Sequence, residues 1–403
     1  MPNQTINKTI YLDNAASTPL DPAVFAVMQP ILQENYGNPS SLHQVGRKAY
    51  DTLIAARQSV ADSLAVEPNE IIFTGSGTES DNLAIIGLAH ANQSHGRHII
   101  VSAIEHKAVL VAAKQLEAEG FTVTYLPVDE YGRIRIEDLL NSLTPKTILV
   151  SIMYANNEIG TIQPISLIVE TIHEHYKNKW CPIVHTDACQ AVGLLPVAPH
   201  TLGVDAMTIN SAKIYGPKGV GLLYLKAGTT LSPLIVGGEQ EWKRRAGTEN
   251  LANIVGFAKA LALAVVNTEQ TATQLTTLRD EFITNLKTNI PTLFLNGHPT
   301  KRLPNNVHIC IPDIEGESIL LMLDAHGICA STGSACSAHD LEPSYVLSAI
   351  GLRDDVIHGS IRFSLGKYTT EEDLRYTVDT LTNIYHTLFS LSSAPIVNKS
   401  PKS

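Results

Sequence analysis

The stretch AMTINSAKIYGPKGVGLLYLK, residues 206–226, contains the most informative position of the chain, Lys213. The apolar residues 206–209 lead into this lysine, and glycine and proline turns follow it. An earlier apolar segment of the same kind ends at Asp187. Most lysines are solvated surface charges, but a lysine at a strand end can form a Schiff base, and an aspartate can pair with the ring nitrogen of pyridoxal phosphate (PLP). Together the two residues predict a PLP site.

Around this stretch, apolar segments bounded by turns alternate with segments of helical period, which is typical of an α/β protein with a parallel sheet covered on both faces. The predicted strands are EIIFTG (70–75), HIIVSAI (98–104), TVTYLPV (122–128), TILVSIMYA (147–155), PIVHTDA (182–188), AMTIN (206–210) and GLLYLK (221–226). The last two strands are close enough in sequence to form a hairpin. Helices are predicted over residues 78–92, with Thr78 as the N-cap, and over residues 108–119.

The pattern changes near Glu269 to a long helical stretch, a strand-like NNVHICIPD (305–313), and then helices separated by glycine and proline. This change predicts a second, smaller α+β domain. We expect residues 16–262 to form the large domain and residues 263–390 the small domain, which residues 1–15 join. Residues 391–403 are rich in serine, proline and lysine and are expected to be disordered.

Composition excludes several classes of function. The chain of 403 residues is 44% hydrophobic, carries a formal net charge of −10, and has no run of lysine and arginine interleaved with aromatic residues, so nucleic acid is not expected as a ligand. The N-terminus lacks the basic start and apolar stretch of a signal peptide, which predicts a cytoplasmic protein. The apolar residues 251–266 are fewer than the roughly 20 that a membrane span needs, so they predict a buried helix and no membrane association.

The cysteines are Cys181, Cys189, Cys310, Cys329 and Cys336. They form an odd set in a chain without a secretory signal, so free thiols are expected. No CxxC pair occurs, so a structural zinc site is not expected. The first four lie in or beside apolar segments and are interpreted as small buried side chains. Cys336 is flanked by glycine and serines, which predicts an exposed loop, and His339 could raise its thiolate fraction. The alternative for Cys336 is an incidental surface thiol.

Polar residues follow several predicted strands, and the carboxyl ends of parallel strands meet at one edge of a sheet. GSGTES (75–80) leads into a helix N-terminus, which favours a phosphate, although such turns also simply connect elements. His106 could stack on a ring and transfer protons, and Gln190 could bond a ring hydroxyl. Arg362 has a planar fork suited to a substrate carboxylate, although a structural salt bridge is the commoner use.

Motifs along nearly the whole chain resemble one family. They are YLDNAASTPL (11–20), GNPSSLHQVGR (37–47), FTGSGTESDN (73–82), EHKAV (105–109), ANNEIGTIQP (155–164), HTDACQAVG (185–193), KIYGPKGVG (213–221), RRAGTEN (244–250), EGES (315–318), TGSAC (332–336) and SIRFSLG (360–366). The chain thereby resembles the cysteine desulfurases of the NifS-like group, which belong to the class V aminotransferases and have the type I fold of PLP-dependent transferases.

The resemblance implies a role for each matching residue. Lys213 would hold PLP, Asp187 would pair with the pyridine nitrogen, Gln190 would bond the ring hydroxyl, and His106 would lie over the ring. Asn156 would sit beside cofactor and substrate, and Arg362 would bind the carboxylate of L-cysteine. The phosphate would be held by Gly77, Thr78, Asn210, Ser211, Ala212 and, across a homodimer interface, Thr248.

Two departures from the family pattern stand out. Many relatives have a histidine in the segment before the lysine, where this chain has Ala212, so one phosphate contact is missing and Ser211 could compensate. The tail after Leu388 has no evident counterpart of the segment with which housekeeping members dock an iron–sulfur scaffold protein.

The resemblance implies conversion of L-cysteine to L-alanine. The freed Lys213 amine would remove the α-proton, and the Cys336 thiolate would take the substrate sulfur as a persulfide and pass it to an acceptor protein. Cys336 could also serve transiently as an iron–sulfur ligand. The alternatives are a selenocysteine lyase or another aminotransferase-like enzyme, and a noncatalytic scaffold. The sequence leaves the destination of the sulfur open among iron–sulfur clusters, thiolated tRNA, another cofactor and DNA modification.

Overall fold

The computed structural model describes residues 9–177, 179–332 and 343–391. The strands are β1 (Ile10–Tyr11), β2 (Ile71–Thr74), β3 (His98–Ser102), β4 (Thr122–Leu126), β5 (Thr147–Ser151), β6 (Ile183–Asp187), β7 (Ala206–Asn210), β8 (Gly221–Leu225), β9 (Phe294–Leu295), β10 (Asn306–Cys310), β11 (Ile328–Cys329) and β12 (Ser360–Ser364).

The helices lie between and after these strands. They are α1 (Pro22–Glu34), α2 (Gln44–Leu64), α3 (Gly77–Asn82), α4 (Leu88–Asn92), α5 (Lys107–Ala118), α6 (Ile136–Ser142), α7 (Ile165–His175), α8 (Pro199–Leu202), α9 (Leu251–Val266), α10 (Thr268–Asn289), α11 (Gly316–Ala325), α12 (Tyr345–Ala349), α13 (Asp354–Ile357) and α14 (Glu371–Leu391).

The large sheet has the strand order β2-β8-β7-β6-β5-β3-β4. Strands β7, β6, β5, β3 and β4 are parallel, whereas β8 runs antiparallel to both of its neighbours. All seven strands predicted for this sheet are confirmed, and so is the hairpin of β7 and β8.

Helices cover both faces of the large sheet. Successive residues of a strand point to opposite faces, and in β8 Leu222 and Tyr224 pack in the cluster that contains α2 and α9, while Leu223 and Leu225 pack in the cluster that contains α5. The strands are therefore almost continuously apolar, as parallel strands covered on both faces are.

The helix that follows β2 begins earlier than predicted. Its N-cap is Ser76, whose hydroxyl accepts the N–H of Glu79 at 3.1 Å, so Thr78 lies within the first turn and the predicted Thr78 cap is wrong. A π-helical turn, Leu83–Gly87, links α3 to α4 without a break. Ser76 is in extended backbone, which is the conformation of an N-cap.

A second core surrounds the antiparallel sheet β12-β10-β9. It contains Phe282 of α10 and Phe363 of β12, whose rings meet edge to face at 5.3 Å, and also Ile10 from the N-terminal strand. Strand β1 pairs in parallel with β11. The N-terminal residues thus pack with this second core. The domain boundaries at residues 15, 262 and 390 stay a prediction.

Helix α9 packs on the large sheet, and its residues Leu251, Phe257 and Leu261 are buried, as the sequence predicted for this apolar stretch. Taken singly, no helix in the described ranges has the length and apolarity of a membrane span. The pair α9 and α10 meets the length and apolarity criteria together, but the two helices are bent by 68° relative to each other.

A buried ion pair ties the segment before Thr248 to the large sheet. Arg57 of α2 donates to Glu241 at 2.6 Å, and the two side chains are only 5% and 3% exposed. The Arg57 guanidinium also donates to the Ile71 carbonyl and lies 4.7 Å and 4.5 Å from the ring centroids of Phe73 and Trp242. Burial raises the pKa of Glu241, with Arg57 acting in the opposite direction, so the carboxylate depends on its partner.

We expect Arg57→Ala to lower the free energy of unfolding by about 3 kcal/mol or more, because it leaves a buried carboxylate without its cation. The control is Lys226→Ala, which removes the half-exposed partner of Asp205 and should cost less than about 1 kcal/mol. Urea unfolding of both variants measures the difference, and equal losses would contradict a structural role for the buried pair.

Candidate active site

A cavity of about 290 Å³ lies at the carboxyl ends of β3, β5, β6 and β7. Of the residues singled out from the sequence, those on its wall are Gly77, Thr78, His106, Asp187, Gln190, Asn210, Lys213 and Arg362. Parallel strands end at the same edge of a sheet, which brings these residues together although they are distant in sequence.

Asn156 does not line the cavity, whereas its neighbour Asn157 does. The Asn156 side chain is fully buried, donates to the Ile104 carbonyl at 2.9 Å, and accepts the N–H groups of Glu158 and Ile159, both at 2.9 Å. Asn156 thus shapes the turn that presents Asn157. The Asn157 Oδ1 atom is buried and has no hydrogen-bond partner among the described residues.

Three predicted phosphate contacts also lie off the wall of this cavity. Ser211 is buried, the Ala212 carbonyl accepts the N–H and hydroxyl of Thr18, and Thr248 is exposed. The tight turn Ser211–Lys213 is capped by Asn210, whose side chain accepts the Ala212 N–H at 3.1 Å. Of the turn and its cap, only Asn210 and Lys213 reach the cavity.

The Lys213 amine is held at the cavity by main-chain oxygens. Nζ donates to the carbonyls of Ala15 and Ala16 at 2.8 Å and 2.6 Å. The Ala15 carbonyl also accepts from Gln190 Nε2 at 3.0 Å, so the lysine and the glutamine share one acceptor. These contacts fix the position of the amine relative to Asp187, which stands at the end of β6 on the same wall.

Buried ionisable groups surround Asp187. His185, two residues before Asp187 on β6, forms hydrogen bonds with the hydroxyls of Ser151 and Thr208. Burial lowers the pKa of His185 to about 4, so its imidazole is neutral. Asp81 of α3 lies on the cavity wall, and burial together with the nearby Asp187 raises its pKa, which favours its protonated form. Burial also raises the pKa of Glu105 to about 8.

His106 stands at the N-cap of α5, where Nδ1 accepts the Ala108 N–H at 3.1 Å. In the neutral imidazole the proton therefore sits on Nε2. Cys189 lines the same cavity. Burial, Asp187 and Asp81 raise the pKa of its thiol well above the usual value, so Cys189 is a poor nucleophile.

Arg362 is buried on β12, with its guanidinium fixed on two sides. Nη1 donates to the Asn157 carbonyl at 3.0 Å, and Nη2 pairs with Asp13 at 2.8 Å. Nε is buried without a partner among the described residues. Burial raises the pKa of the nearby Glu158 to about 7, against the opposing effects of Ser344 and Arg362, and Glu158 accepts the Ser344 hydroxyl at 2.5 Å.

The cavity fits PLP. Gly77 opens a helix whose first N–H groups can bind a phosphate. A side chain at Gly77 would come within 3.1 Å of Cys189 Sγ and 3.2 Å of the Asn210 side chain, so the absence of a Cβ leaves room beside the helix terminus. The wall thus combines the amine of Lys213, the carboxyl of Asp187 and the helix N-terminus at Gly77 as an anion site, which are the groups that this cofactor requires.

Sequence reasoning missed several residues on the wall: Ala15, Asp81, Lys107, Met153, Cys189, Glu158 and Tyr345. The sequence contained a signal for Asp81, because Asp81 lies one helical turn after Gly77 and so faces the same way.

Cys336 and His339 fall in residues 333–342, outside the described residues. Of the described cysteines, Cys310 is buried, and Cys181, Cys189 and Cys329 are half-buried. In these same ranges, no group of three or more His, Cys, Asp or Glu is placed to hold a metal ion.

Comparison with known proteins identifies close similarities over almost the full length. A cysteine desulfurase IscS of Dictyoglomus turgidum is 49% identical over 387 residues, which cover 96% of this chain and 97% of that protein. A solved NifS-like protein has a TM-score of 0.89 and 37% identity, over 94% of this chain and 100% of the other. A structure described as SspA in complex with cysteine has a TM-score of 0.78 and 34% identity, over 90% and 100%.

The family model for class V aminotransferases matches residues 10–376, which include the large sheet, the cavity and β12. Both the extent of this match and the identities to the relatives lead to one conclusion: the chain belongs to the aminotransferase class-V family.

Proposed function

We propose that the chain is a PLP-dependent cysteine desulfurase that converts L-cysteine to L-alanine and retains the sulfur for transfer. The observation that carries this proposal is the presence of Lys213, Asp187 and Arg362 on one cavity wall. These groups would hold an aldehyde, a ring nitrogen and a carboxylate, respectively. The name cysteine desulfurase of the similar proteins supports this function over the selenocysteine lyase alternative.

Different residues on the wall would bind different groups of the cofactor. Lys213 would hold the aldehyde end, Asp187 the ring nitrogen and Gln190 the ring hydroxyl, while His106 would lie against the ring. The helix N-terminus at Gly77 and Thr78, with Asn210, would hold the phosphate. When bound, PLP supplies an electron sink for negative charge at the substrate α-carbon. Phosphate contacts from Ser211, Ala212 and Thr248 stay predictions.

L-Cysteine would bind with its carboxylate on Arg362. The similar structure described as SspA in complex with cysteine supports this substrate. We place Asn157, rather than Asn156, beside the cofactor and substrate, because Asn157 lines the cavity and has a buried oxygen without a partner among the described residues. The Lys213 amine would take the α-proton, and His106 would exchange a proton through Nε2.

Cys336 would receive the sulfur. Its thiolate attacks the sulfur of the bound cysteine, an S–S bond forms, the Cβ–S bond breaks, and protonation at Cβ completes the alanine skeleton. The sequence motif TGSAC (332–336) supports Cys336 as the nucleophile. Cys189, the described cysteine on the cavity wall, is a weak competitor because its raised pKa keeps the thiol protonated. The persulfide would pass to an acceptor protein, and the IscS names of the relatives favour iron–sulfur cluster assembly. A transient iron–sulfur ligand role for Cys336 and a cytoplasmic location stay predictions.

We also propose a homodimer. Large apolar side chains are exposed on α1, on α2 and between them, and again near the segment that carries Thr248. They are Phe25, Leu32, Tyr36, Leu42, Tyr50, Ile54, Val236 and Trp242. The two regions meet, because Trp242 stacks on Arg57 of α2. Apolar surface of this extent favours burial against a second copy, which would bring Thr248 toward the partner's cavity.

The dimer should be weakened by placing a charge in this apolar surface. Leu42 is 89% exposed, and Leu42→Asp should raise the dimer dissociation constant on the order of 10-fold or more in sedimentation equilibrium, since a buried carboxylate is costly. Val111→Asp is the matched control, because Val111 is 61% exposed on α5 at the opposite face of the sheet. A monomeric wild-type protein, or equal weakening by both variants, would contradict the proposed interface.

Replacing Cys336 should separate the two halves of the reaction. In Cys336→Ser, L-cysteine should still change the cofactor absorbance, because Lys213 and Arg362 remain, while alanine formation falls on the order of 100-fold or more for lack of the nucleophile. Cys181→Ser is the control, since Cys181 lies on another pocket, and it should keep normal turnover. Alanine formation at the wild-type rate in Cys336→Ser would refute the assigned nucleophile.

A further inference from the structure

We propose that the N-terminal segment of residues 13–16 positions the site, and that Asp13 is a positioning residue that holds Arg362 for the substrate carboxylate. This inference rests on the proposed function, because it takes Arg362 as the group that binds the carboxylate of L-cysteine.

Asp13 is fixed relative to Arg362 by the backbone. Asp13 forms a parallel bridge to Ser364, two residues after Arg362 on β12. The Ser364 N–H donates to the Leu12 carbonyl at 2.7 Å, and the Asn14 side chain donates to the Ser364 carbonyl at 2.8 Å. These bonds clamp the segment from both sides of Asp13. The 2.8 Å contact between Asp13 Oδ1 and Arg362 Nη2 therefore belongs to a rigid pairing rather than to two loose side chains.

The same segment contacts two more groups of the site. The Ala15 carbonyl accepts from Gln190 and from Lys213, and the Ala16 carbonyl accepts from Lys213. The Ala15 N–H in turn donates to the Ser364 hydroxyl at 2.9 Å. Four consecutive residues thus connect the proposed carboxylate, ring and attachment groups, so a shift of this segment would move all three together.

The charges around Arg362 make Asp13 its main anionic partner. Arg362 is 3% exposed, and a buried guanidinium needs a compensating anion. Glu158 is another carboxyl nearby, but it bonds Ser344, and its pKa of about 7 leaves it only partly ionised at neutral pH. His106 and Lys107 face the same region and add no negative charge.

The geometry leaves part of the guanidinium available to substrate. Nη1 and Nη2 each carry two N–H groups. Nη1 uses one of them for the Asn157 carbonyl and Nη2 uses one for Asp13, so one N–H group on each nitrogen remains. Nε has no partner among the described residues. Holding the planar guanidinium at both Nη1 and Nη2 sets the direction of the remaining donors, which decides whether a carboxylate can be bound by two parallel bonds.

The experiment uses holoenzyme that carries Cys336→Ser, so that L-cysteine binds without turnover. Binding is measured from the change in cofactor absorbance. Asp13→Ala in this background should raise the dissociation constant of L-cysteine about 10-fold or more, the effect of losing a hydrogen bond to a charged group. Asp13→Asn keeps the acceptor oxygen and should recover most of the affinity. In the enzyme with Cys336 intact, Asp13→Ala should raise KM by a similar factor and change kcat much less.

Asp21→Asn is the matched control. Asp21 lies in the same N-terminal region and pairs with Lys367, away from Arg362, and asparagine can still cap α1. This variant loses the same charge and should bind L-cysteine normally. A loss equal to that of Asp13→Ala, which removes one negative charge as well, would mean that net charge, and not position, is the cause, and would overturn the inference.

Arg362→Ala distinguishes failure of the inference from failure of the proposed function. If Arg362→Ala weakens binding and Asp13→Ala does not, Asp13 has no positioning role and the substrate assignment of Arg362 stands. If Arg362→Ala binds L-cysteine normally, the assignment of Arg362 itself is wrong. The double variant should bind no more weakly than Arg362→Ala alone, and additive losses would assign Asp13 a separate structural role and refute the proposal.

Discussion

The constraint on which the site depends is that neighbouring parallel strands end at the same edge of a sheet. Strands β3, β5, β6 and β7 are parallel, and their side chains are buried on both faces, so only the ends can carry polar groups into a shared cavity. Asp187 is the last residue of β6, and Lys213 follows β7 by one tight turn. The chemistry is therefore placed by the strand ends, and the antiparallel β8 pairs with β7, the strand that leads to the lysine.

Burial then sets which groups near Asp187 carry charge. Asp81 and Glu105 have raised pKa values and His185 a lowered one, each mainly because burial disfavours the charged form. Cys189 is held as a thiol by the same effect and by the acids beside it. The surroundings thus limit the number of charges that could compete with Asp187 for a cationic ring, and they keep a second thiol from reacting with substrate.

Much of the site could be predicted because its residues stand at places that sequence marks. Asp187 ends an apolar strand, and Gly77, His106 and Lys213 stand within four residues after one. The end of such a strand is visible in the sequence as a change from apolar to polar residues. The seven strands of the large sheet were predicted for the same reason.

What could not be predicted depends on geometry within turns or between elements far apart in the chain. Asn156 and Asn157 are alike in sequence, and only the hydrogen bonds of the turn decide which one faces the cavity. The Asp13–Arg362 pair joins residues from opposite ends of the chain, through the pairing of a short N-terminal bridge with β12. Thr248 is exposed in the single chain, so the phosphate contact proposed for it would require a second copy. The cap of α3 was misplaced because Ser76 and Thr78 are both good caps.

The most direct test of the account is to locate the lysine that bonds the cofactor. Borohydride reduction of the holoenzyme fixes the Schiff base as a stable secondary amine, and peptide mass spectrometry then reports the residue that carries the pyridoxyl group. The pyridoxyl group is expected on Lys213. Lys107 lines the same cavity, and a pyridoxyl group found there, or on no lysine of the cavity, would contradict it.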